Sequence, residues 1–539
     1  LPDPSSVHPP RQTRWLIALG VVLLYAAGVR GWWFNRPFQR DAEGCASYFG
    51  ILARNYFRYD FSQTLGVPVC SLGHSPDAPV FYANHPPLVA MGIAATYGLF
   101  GYRGSFDQLP PDWQVRLPAS LFLLGSIGLI YWMVQTRAGP RAGLVAAALF
   151  AAAPISVIFG GLADVIDTQL VFFCLLAVEA YLRLHARPDA KHFVLAALPL
   201  IPAGFTDWVA FYLLPVFLVH WLLTRPRKTW PWIIGLCGVG TAVFIAAYVQ
   251  IYLVRHDPFW IKKEFLHRSG SGQSDSGVKY DTMGWIRVAL FVMNVRQHTW
   301  WLIGIAVAWM AIDGWRLRAG SSAATLARLL IAWAALHVLV GRQGVYNHDW
   351  WWWPVTPALV VAAALLVERA CVAMESRQFR GRTIHVWLGV LLVSFAAWNT
   401  FARLHPMVGR DYETTGLGYS IREIGLAIRA AAPPDRAVVV AEKDPTVSLW
   451  YYADRPIIQN VWDSVTLADR MQNDRLAELP WNDYYQPLSQ PPAGMVVPVP
   501  YVPVVPKFVD YLQSHYPGIE PPAQTPGPFL FFDLTRRLP

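Results

Sequence analysis

Four segments of the chain collect residues whose types and spacing could do chemistry. The first reads Arg40-Asp41-Ala42-Glu43-Gly44, then Ala53-Arg54-Asn55-Tyr56, and further on Asn84-His85-Pro86-Pro87-Leu88. Two carboxylates two residues apart, just beyond an apolar run, could supply a general base or ligate a cation. They could equally be surface charges of a solvated loop. The second segment is Gly161–Asp167, where Asp164 and Asp167 share a face if the segment is helical. Ionisable residues at a membrane boundary are costly to bury and often functional, although a helix N-terminus also favours acidic residues. The third runs over 254–283 and carries Arg255, His256, Lys262, Lys263, Glu264, His267 and Arg268 before the Gly/Ser-rich Ser269–Gly277. That pattern suits a mobile lid over a phosphate, or a basic helix resting on anionic lipid. The fourth is Arg342–Asp349 followed by Trp350–Trp353. Tryptophans at a span's edge form an aromatic belt; their faces also stack on sugar rings, with His348 and Asp349 beside them as hydrogen-bonding groups. Asp207-Trp208, at the end of another apolar run, is similar in kind.

These segments must be positioned by apolar helices. Of 539 residues 54% are hydrophobic and 15% charged, and mean hydropathy is +0.31. A soluble domain is about 25% charged. The balance excludes a soluble enzyme and a disordered chain. The net charge of +9 lies in short clusters between apolar runs, so it does not point to nucleic acid. Runs long enough to span occur at 15–33, 115–136, 141–161, 168–184, 192–206, 208–223, 230–253, 297–315, 322–341, 354–372 and 384–402. The run 87–101 is shorter and is expected to lie along the interface. Arg11 and Arg14 place the N-terminus inside. The clusters Arg137/Arg141, Arg183/Arg187/Lys191, Arg225/Arg227/Lys228, Arg316/Arg318 and Arg369–Arg382 then alternate as the positive-inside rule requires. The expectation is a polytopic α-helical protein of about 11 spans, up to about 13 if 87–101 crosses or 192–223 is misread. It leaves 34–86 and 254–283 as outer loops and the C-terminus outside.

Residues 1–14 read as a flexible tail, 15–33 as a retained helix and 15–402 as the transmembrane domain. Residues 403–539 read as a small extracytoplasmic α/β domain, with a helix at Ser420–Ala432, strands at Ala437–Ala441 and Phe529–Phe532, and an extended segment at Met495–Val505. The five cysteines include no C-x-x-C. Cys45 and Cys70 share the first outer loop and could pair there if that side is oxidising; Cys174, Cys237 and Cys371 fall in spans.

The order of these motifs resembles the GT-C membrane glycosyltransferases. An Asp follows the first span, His-Pro-Pro-Leu precedes an apolar helix, and an Asp follows the third span. The resemblance is to the bacterial branch that holds protein O-mannosyltransferases, lipid A aminoarabinose transferases and rhizobial core transferases. Arg116-Leu117-Pro118-Ala119-Ser120-Leu121 and Gly139-Pro140-Arg141-Ala142-Gly143-Leu144 resemble that branch too. The likeness covers roughly 15–375. It implies an inverting transferase, hexosyl or pentosyl, in the bacterial inner (plasma) membrane. Its donor would be a polyprenyl-phosphate sugar. Its acceptor would be an envelope lipid, glycan or protein at the outer face.

By the resemblance Asp41 matches the first-loop catalytic aspartate. The usual adjacent Asp-Glu pair is interrupted by Ala42, so Glu43 is the alternative base. His85 matches the residue before Pro-Pro, and Asp164 or Asp167 the acidic position after the third span. A departing phosphate needs fixed cations, for which Lys262, Lys263, Arg268 and Arg296 are candidates, with His348 beside them. No cofactor is implied, and the branch works without a metal, although Asp41, Glu43 and Asp167 could bind a divalent cation. The competing expectation is a lipid-linked-sugar transporter or flippase. Such proteins show internal repeats and midplane charges, whereas here no repeat is visible and the charges gather at one side.

Overall fold

The computed structural model describes residues 10–31, 34–38, 44–73, 79–160, 165–269, 300–314, 321–376, 384–409, 421–436, 438–440, 447–458, 494–498 and 529–533. Six helices are long and apolar enough to cross a membrane: Thr13–Gly31, Asp112–Ala138, Ile166–Ala186, Arg227–Arg255, Ser322–Val340 and Trp350–Glu375. Shorter apolar helices cover Leu88–Leu99, Pro140–Ala152, Ala190–Thr206, Trp208–Thr224, Trp300–Asp313 and Gly389–Ala402. The chain has the build of a multi-pass membrane protein. Its helices satisfy their own backbone groups, which is what a bilayer demands. Several also turn apolar side chains outward, with Leu24 74%, Leu391 65% and Trp398 65% exposed. Lipid suits such surfaces and water does not.

Two compact units emerge from the packing. One contains 1–34, 84–89 and 116–408; the other contains 35–83, 90–115 and 409–539. The sequence alone groups 34–86 with the transmembrane part, because local hydropathy carries no information about which distant segments share a core.

In the first unit, polar side chains tie helix ends together. Arg30 is buried and donates to the carbonyls of Gly160 at 2.9 Å and Ser156 at 2.6 Å. Those carbonyls end the Pro154–Phe159 helix, where the helix dipole favours a cation. Arg116 donates to the Phe34 carbonyl at 2.8 Å, joining the start of the Asp112–Ala138 helix to the end of the first helix. Leu88–Leu99, at 12 residues, is about 18 Å long, shorter than an apolar core of about 30 Å.

The opposite helix ends are joined by ion pairs. Arg137 meets Glu179 at 2.7 Å, Arg141 meets Glu368 and Glu375 at 2.7 Å each, and Arg369 pairs with Asp313. The expected run 192–206 is broken into Ala190–Ala197 and Leu200–Thr206, with Pro199 as N-cap of the second piece.

The second unit is built from distant segments. Helix Gly44–Asn55 packs on Val447–Ala453, which also packs on the amphipathic helix Ile421–Ala431. Strands β1 (Val438–Val440), β2 (Ile457–Ile458), β3 (Gly494–Pro498) and β4 (Phe529–Asp533) form one sheet in the order β2-β1-β3-β4. β1 runs parallel to β2 and β3, and β4 runs antiparallel to β3. Beside it Arg58 makes a two-pronged pair with Asp454 at 2.9 and 2.7 Å, and the fully buried Arg54 reaches the same carboxylate at 3.5 Å. No disulfide joins Cys45 to Cys70; Cys70 is buried and donates to the Val80 carbonyl at 3.3 Å.

Candidate active site

The polar cluster of the first unit is built around a break between two helices. Leu200–Thr206 ends at Asp207, and a 3-10 turn over Trp208–Tyr212 begins there. One carboxylate oxygen of Asp207 accepts the backbone N–H of Val209 at 2.8 Å, the bond of an N-cap. The other oxygen lies 2.5 Å from Nδ1 of His85. Burial opposes ionisation of Asp207, but the His85 ring, the Val209 N–H and His337 outweigh it and hold its pKa below the ordinary value. An ionised Asp207 can only accept, so Nδ1 of His85 donates to it. The turn is pinned on both sides. Trp208 Nε1 donates to the Asn84 carbonyl at 2.8 Å, next to His85, and Trp333 Nε1 donates to the Val209 carbonyl at 3.1 Å.

A second group of side chains stands within electrostatic reach of His85. Arg268 closes the short helix Trp260–Arg268. Its Nη1 lies 3.2 Å from His348 Nε2 and 3.3 Å from Gln343 Oε1. A guanidinium only donates, so His348 Nε2 is its unprotonated nitrogen and the ring is neutral. Consistently, burial first, then the positive charge of Arg268 and the rings of His85 and His267, push the His348 pKa down to about 4. The Gln343 amide nitrogen faces His267 Nε2 at 3.2 Å, which completes the run His267, Gln343, Arg268, His348. Aromatic faces frame it: Trp350 stacks on His348 at 4.5 Å and Arg268 lies over Trp351 at 5.7 Å. A fixed guanidinium beside a neutral imidazole is an arrangement that can receive a phosphate, the guanidinium supplying the charge and the imidazole a hydrogen bond.

The other expected site residues divide clearly. His85, Arg268 and His348 are brought together. Asp167 is buried in the first turn of Ile166–Ala186, and it and Asp207 both act electrostatically on the Cys174 thiol. Lys262 and Lys263 sit on the exposed side of their helix. Lys263 pairs with Asp257 at 2.8 Å and Lys262 lies 6.0 Å from the Phe259 ring. Asp41, Glu43, Asp164 and Arg296 lie outside the described residues. Among the described residues no group of three or more His, Cys, Asp or Glu is placed to hold a metal ion. Asp207 and Gln343 are members of the cluster that the sequence alone does not assign to a site. The signal for Asp207 was present: a lone carboxylate between two apolar runs must find a partner when buried.

Residues 84–265 match the family model described as dolichyl-phosphate-mannose-protein mannosyltransferase. The Bacillus subtilis (strain 168) protein YkcB, whose name proposes a mannosyltransferase, is 31% identical over 203 residues. That stretch is 37% of this chain and 26% of YkcB, so the chain matches about a quarter of that relative. Among solved structures, ArnT from Cupriavidus metallidurans bound to undecaprenyl phosphate superposes with a TM-score of 0.58 at 15% identity, covering 97% of this chain and 99% of ArnT. The Archaeoglobus fulgidus oligosaccharyltransferase gives a TM-score of 0.58 at 13% identity, covering 92% of this chain and 69% of that one. At these identities the likeness is one of fold.

Proposed function

From the premise that the fold is that of the GT-C membrane glycosyltransferases, we propose that the chain transfers a sugar from a polyprenyl-phosphate donor to an envelope acceptor. The observation that carries this reading is the grouping of His85, Asp207, Arg268 and His348 at one end of an apolar helix bundle. A lipid-linked donor keeps its tail in the bilayer and its phosphate at the boundary. A guanidinium held at the same level meets that phosphate. Arg268 is assigned to the leaving phosphate, which gains charge in the transition state and is best stabilised by a preorganised cation. Lys262, Lys263 and Arg296 serve as further basic contacts along the donor's path.

Transfer with inversion needs one base to take the acceptor's hydroxyl proton opposite the departing phosphate. Asp41 is assigned that role from its sequence position, with Glu43 as the alternative. Asp164 and Asp167 are assigned to the acceptor side. His85, held by Asp207, orients the donor's polar head. The topology that fits is about 11 spans, with the site and residues 403–539 on the outer face of a bacterial plasma membrane. The ArnT match supports this reading, because that protein binds undecaprenyl phosphate.

The test uses the purified chain in lipid nanodiscs and a panel of polyprenyl-phosphate sugars, with extracted envelope lipids and glycans as acceptors. Mass spectrometry follows each donor. Wild type consumes one donor; Asp41→Asn abolishes consumption without altering expression or thermal stability. Full activity in Asp41→Asn moves the base to Glu43. Absence of donor binding across the panel overturns the transferase reading in favour of a transporter.

A further inference from the structure

One stretch of chain holds Arg268. Among the described residues its Nη1 meets Gln343 Oε1 at 3.3 Å and His348 Nε2 at 3.2 Å, and its guanidinium lies over the Trp351 ring at 5.7 Å. Its remaining partner is Glu264 on its own helix, at 3.7 Å. The place of this cation is therefore set by the segment 343–351, which consists of most of a six-residue helix, Arg342–Asn347, and the start of a 3-10 turn. Helical pieces this short do not hold their own shape, so a contact from outside them must.

His337 supplies that contact. It is buried in the last turn of the Ser322–Val340 helix. Its Nε2 donates to the Trp351 carbonyl at 2.7 Å, and its ring stacks on the Trp351 indole at 5.4 Å. The two residues are 14 apart in sequence, and Gln343 and His348 lie between them. The bond therefore closes a loop that carries every described contact Arg268 makes outside its own helix. Ordering such a loop costs entropy, and a fixed closing contact offsets that cost. One turn earlier on the same helix face, Trp333 Nε1 holds the Val209 carbonyl at 3.1 Å, in the turn that begins at Asp207. One helix thus steadies both halves of the polar cluster. The other ring nitrogen of His337, Nδ1, is buried without a hydrogen-bond partner, although Asp207 acts electrostatically on the ring. A buried polar atom without a partner lowers stability. A residue kept for packing alone has no need of one, and such a departure marks a functional position.

We propose that His337 is a positioning residue for donor binding: by fixing Trp351 and the loop that it closes, it sets Arg268 where a lipid-borne phosphate arrives. This inference rests on the sugar-transfer reading, which assigns Arg268 to that phosphate. The bond and the stack contribute differently. The bond fixes the backbone at 351, and with it the loop. The indole is confined in any case by Gly341 and Gly344, where a Cβ would meet the Trp351 ring. The bond is therefore the part that positions Arg268. A side chain that keeps an N–H at the place of Nε2 keeps most of the effect, and an aromatic ring alone does not.

The experiment measures equilibrium binding of undecaprenyl phosphate to the full chain in phosphatidylcholine nanodiscs, beside its unfolding temperature. Arg268→Gln weakens binding. His337→Phe keeps a stacked ring but loses the bond, and weakens binding roughly fivefold. His337→Leu, smaller and also without the bond, weakens it alike, so the comparison does not depend on the phenyl ring packing. His337→Gln restores the N–H and returns binding to within about twofold of wild type. In the Arg268→Gln background none of the His337 variants weakens binding further, because the effect runs through the guanidinium. Equal losses in His337→Phe and His337→Gln, or losses that persist without Arg268, make residue 337 a packing residue and overturn the proposal. Wild-type binding in His337→Phe and His337→Leu, with Arg268→Gln weakened, overturns this inference and leaves the transfer reading standing. Wild-type binding in Arg268→Gln removes the cation from that reading, and this inference with it.

Discussion

Asp207 does two jobs with two oxygens, and the two can be separated by mutation. Asp207→Asn keeps an acceptor for the Val209 N–H but loses the charge that holds the His85 ring. Its expected cost is in donor turnover, lower by roughly 10- to 100-fold, with little change in unfolding temperature. Asp207→Ala also loses the cap and should cost a further ~1 kcal/mol of stability. Equal turnover in wild type and Asp207→Asn would reduce Asp207 to a helix cap. His348 makes a different prediction, from pH. Its folded pKa of about 4 lies below the ordinary value, so the unfolded chain binds a proton in the window between them and the folded chain does not. Stability from this group is full above about pH 6.5 and declines as pH falls toward the folded value. His348→Gln should flatten that part of the pH profile of the unfolding temperature. An unchanged profile would mean that the ring binds its proton alike in the folded and unfolded chain. Asp207 works the opposite way in chemistry but at lower pH: its depressed pKa stabilises above the ordinary carboxyl range and is lost in strong acid. The two profiles therefore separate. At this scale the sequence was informative where a residue stood alone against its surroundings, as His85 before Pro86-Pro87 did. It was silent about pairing, because His85 and Asp207 are 122 residues apart.

The element that shapes the cluster is the short helix Arg342–Asn347 with the 3-10 segment Asp349–Val355 behind it. Four successive tryptophans read first as a membrane belt. Instead the tight 3-10 winding sends them different ways. Trp352 and Trp353 enter the core, Trp353 stacking on Phe150 at 5.0 Å, while Trp350 and Trp351 flank His348 and His337. Hydropathy gives all four the same score, so only the winding could distinguish them. The Trp351 ring lies where a Cβ on Gly344 would stand, and close to one on Gly341. Gly344→Ala therefore forces the indole away from Arg268 and His337. The expected loss is about 1–3 kcal/mol of stability, together with weaker donor binding. Tryptophan fluorescence should shift if Trp351 moves. A wild-type spectrum and stability would show that the ring is not confined by this glycine. The long apolar helices needed no such detail. Their length and composition were enough to locate them, and they depart from expectation mainly where a break intervenes, as at 198–199.

Across the whole molecule, what the sequence hid is the makeup of the second unit. Its local elements were visible one by one: the amphipathic helix now at Ile421–Ala431, the β-branched run now at Val438–Val440 and the aromatic run now at Phe529–Asp533. Their sharing of a core with 44–55 was not visible, because nothing in a local pattern links Arg54 to Asp454 across 400 residues. That link is concentrated in one carboxylate. Burial alone would raise the pKa of Asp454, but Arg54 and Arg58 hold it below the ordinary value. Asp454 also takes a positive φ of 50°, a conformation that Asp tolerates better than most residues. Arg54 lies over the Tyr451 ring at 4.7 Å and donates to the Tyr451 carbonyl at 2.8 Å, so the same arginine grips one residue of the Val447–Ala453 helix in two ways, just before the carboxylate. Removing the carboxylate strands two buried guanidinium groups, and breaking a buried pair in this way costs about 3–5 kcal/mol. Asp454→Ala should therefore loosen the packing of Gly44–Asn55 on Val447–Ala453 while the long apolar helices stay folded. Cys70, 3% exposed in this unit, reports the change. A thiol reagent, with its sites read by mass spectrometry, should modify Cys70 slowly in the wild type and many times faster in Asp454→Ala. Lys at position 58 in place of Arg, which keeps a charge but loses the two-pronged geometry, should fall between. Equal rates in all three proteins would show that the core of this unit is held by its aromatic packing, and that the ion cluster is incidental to it.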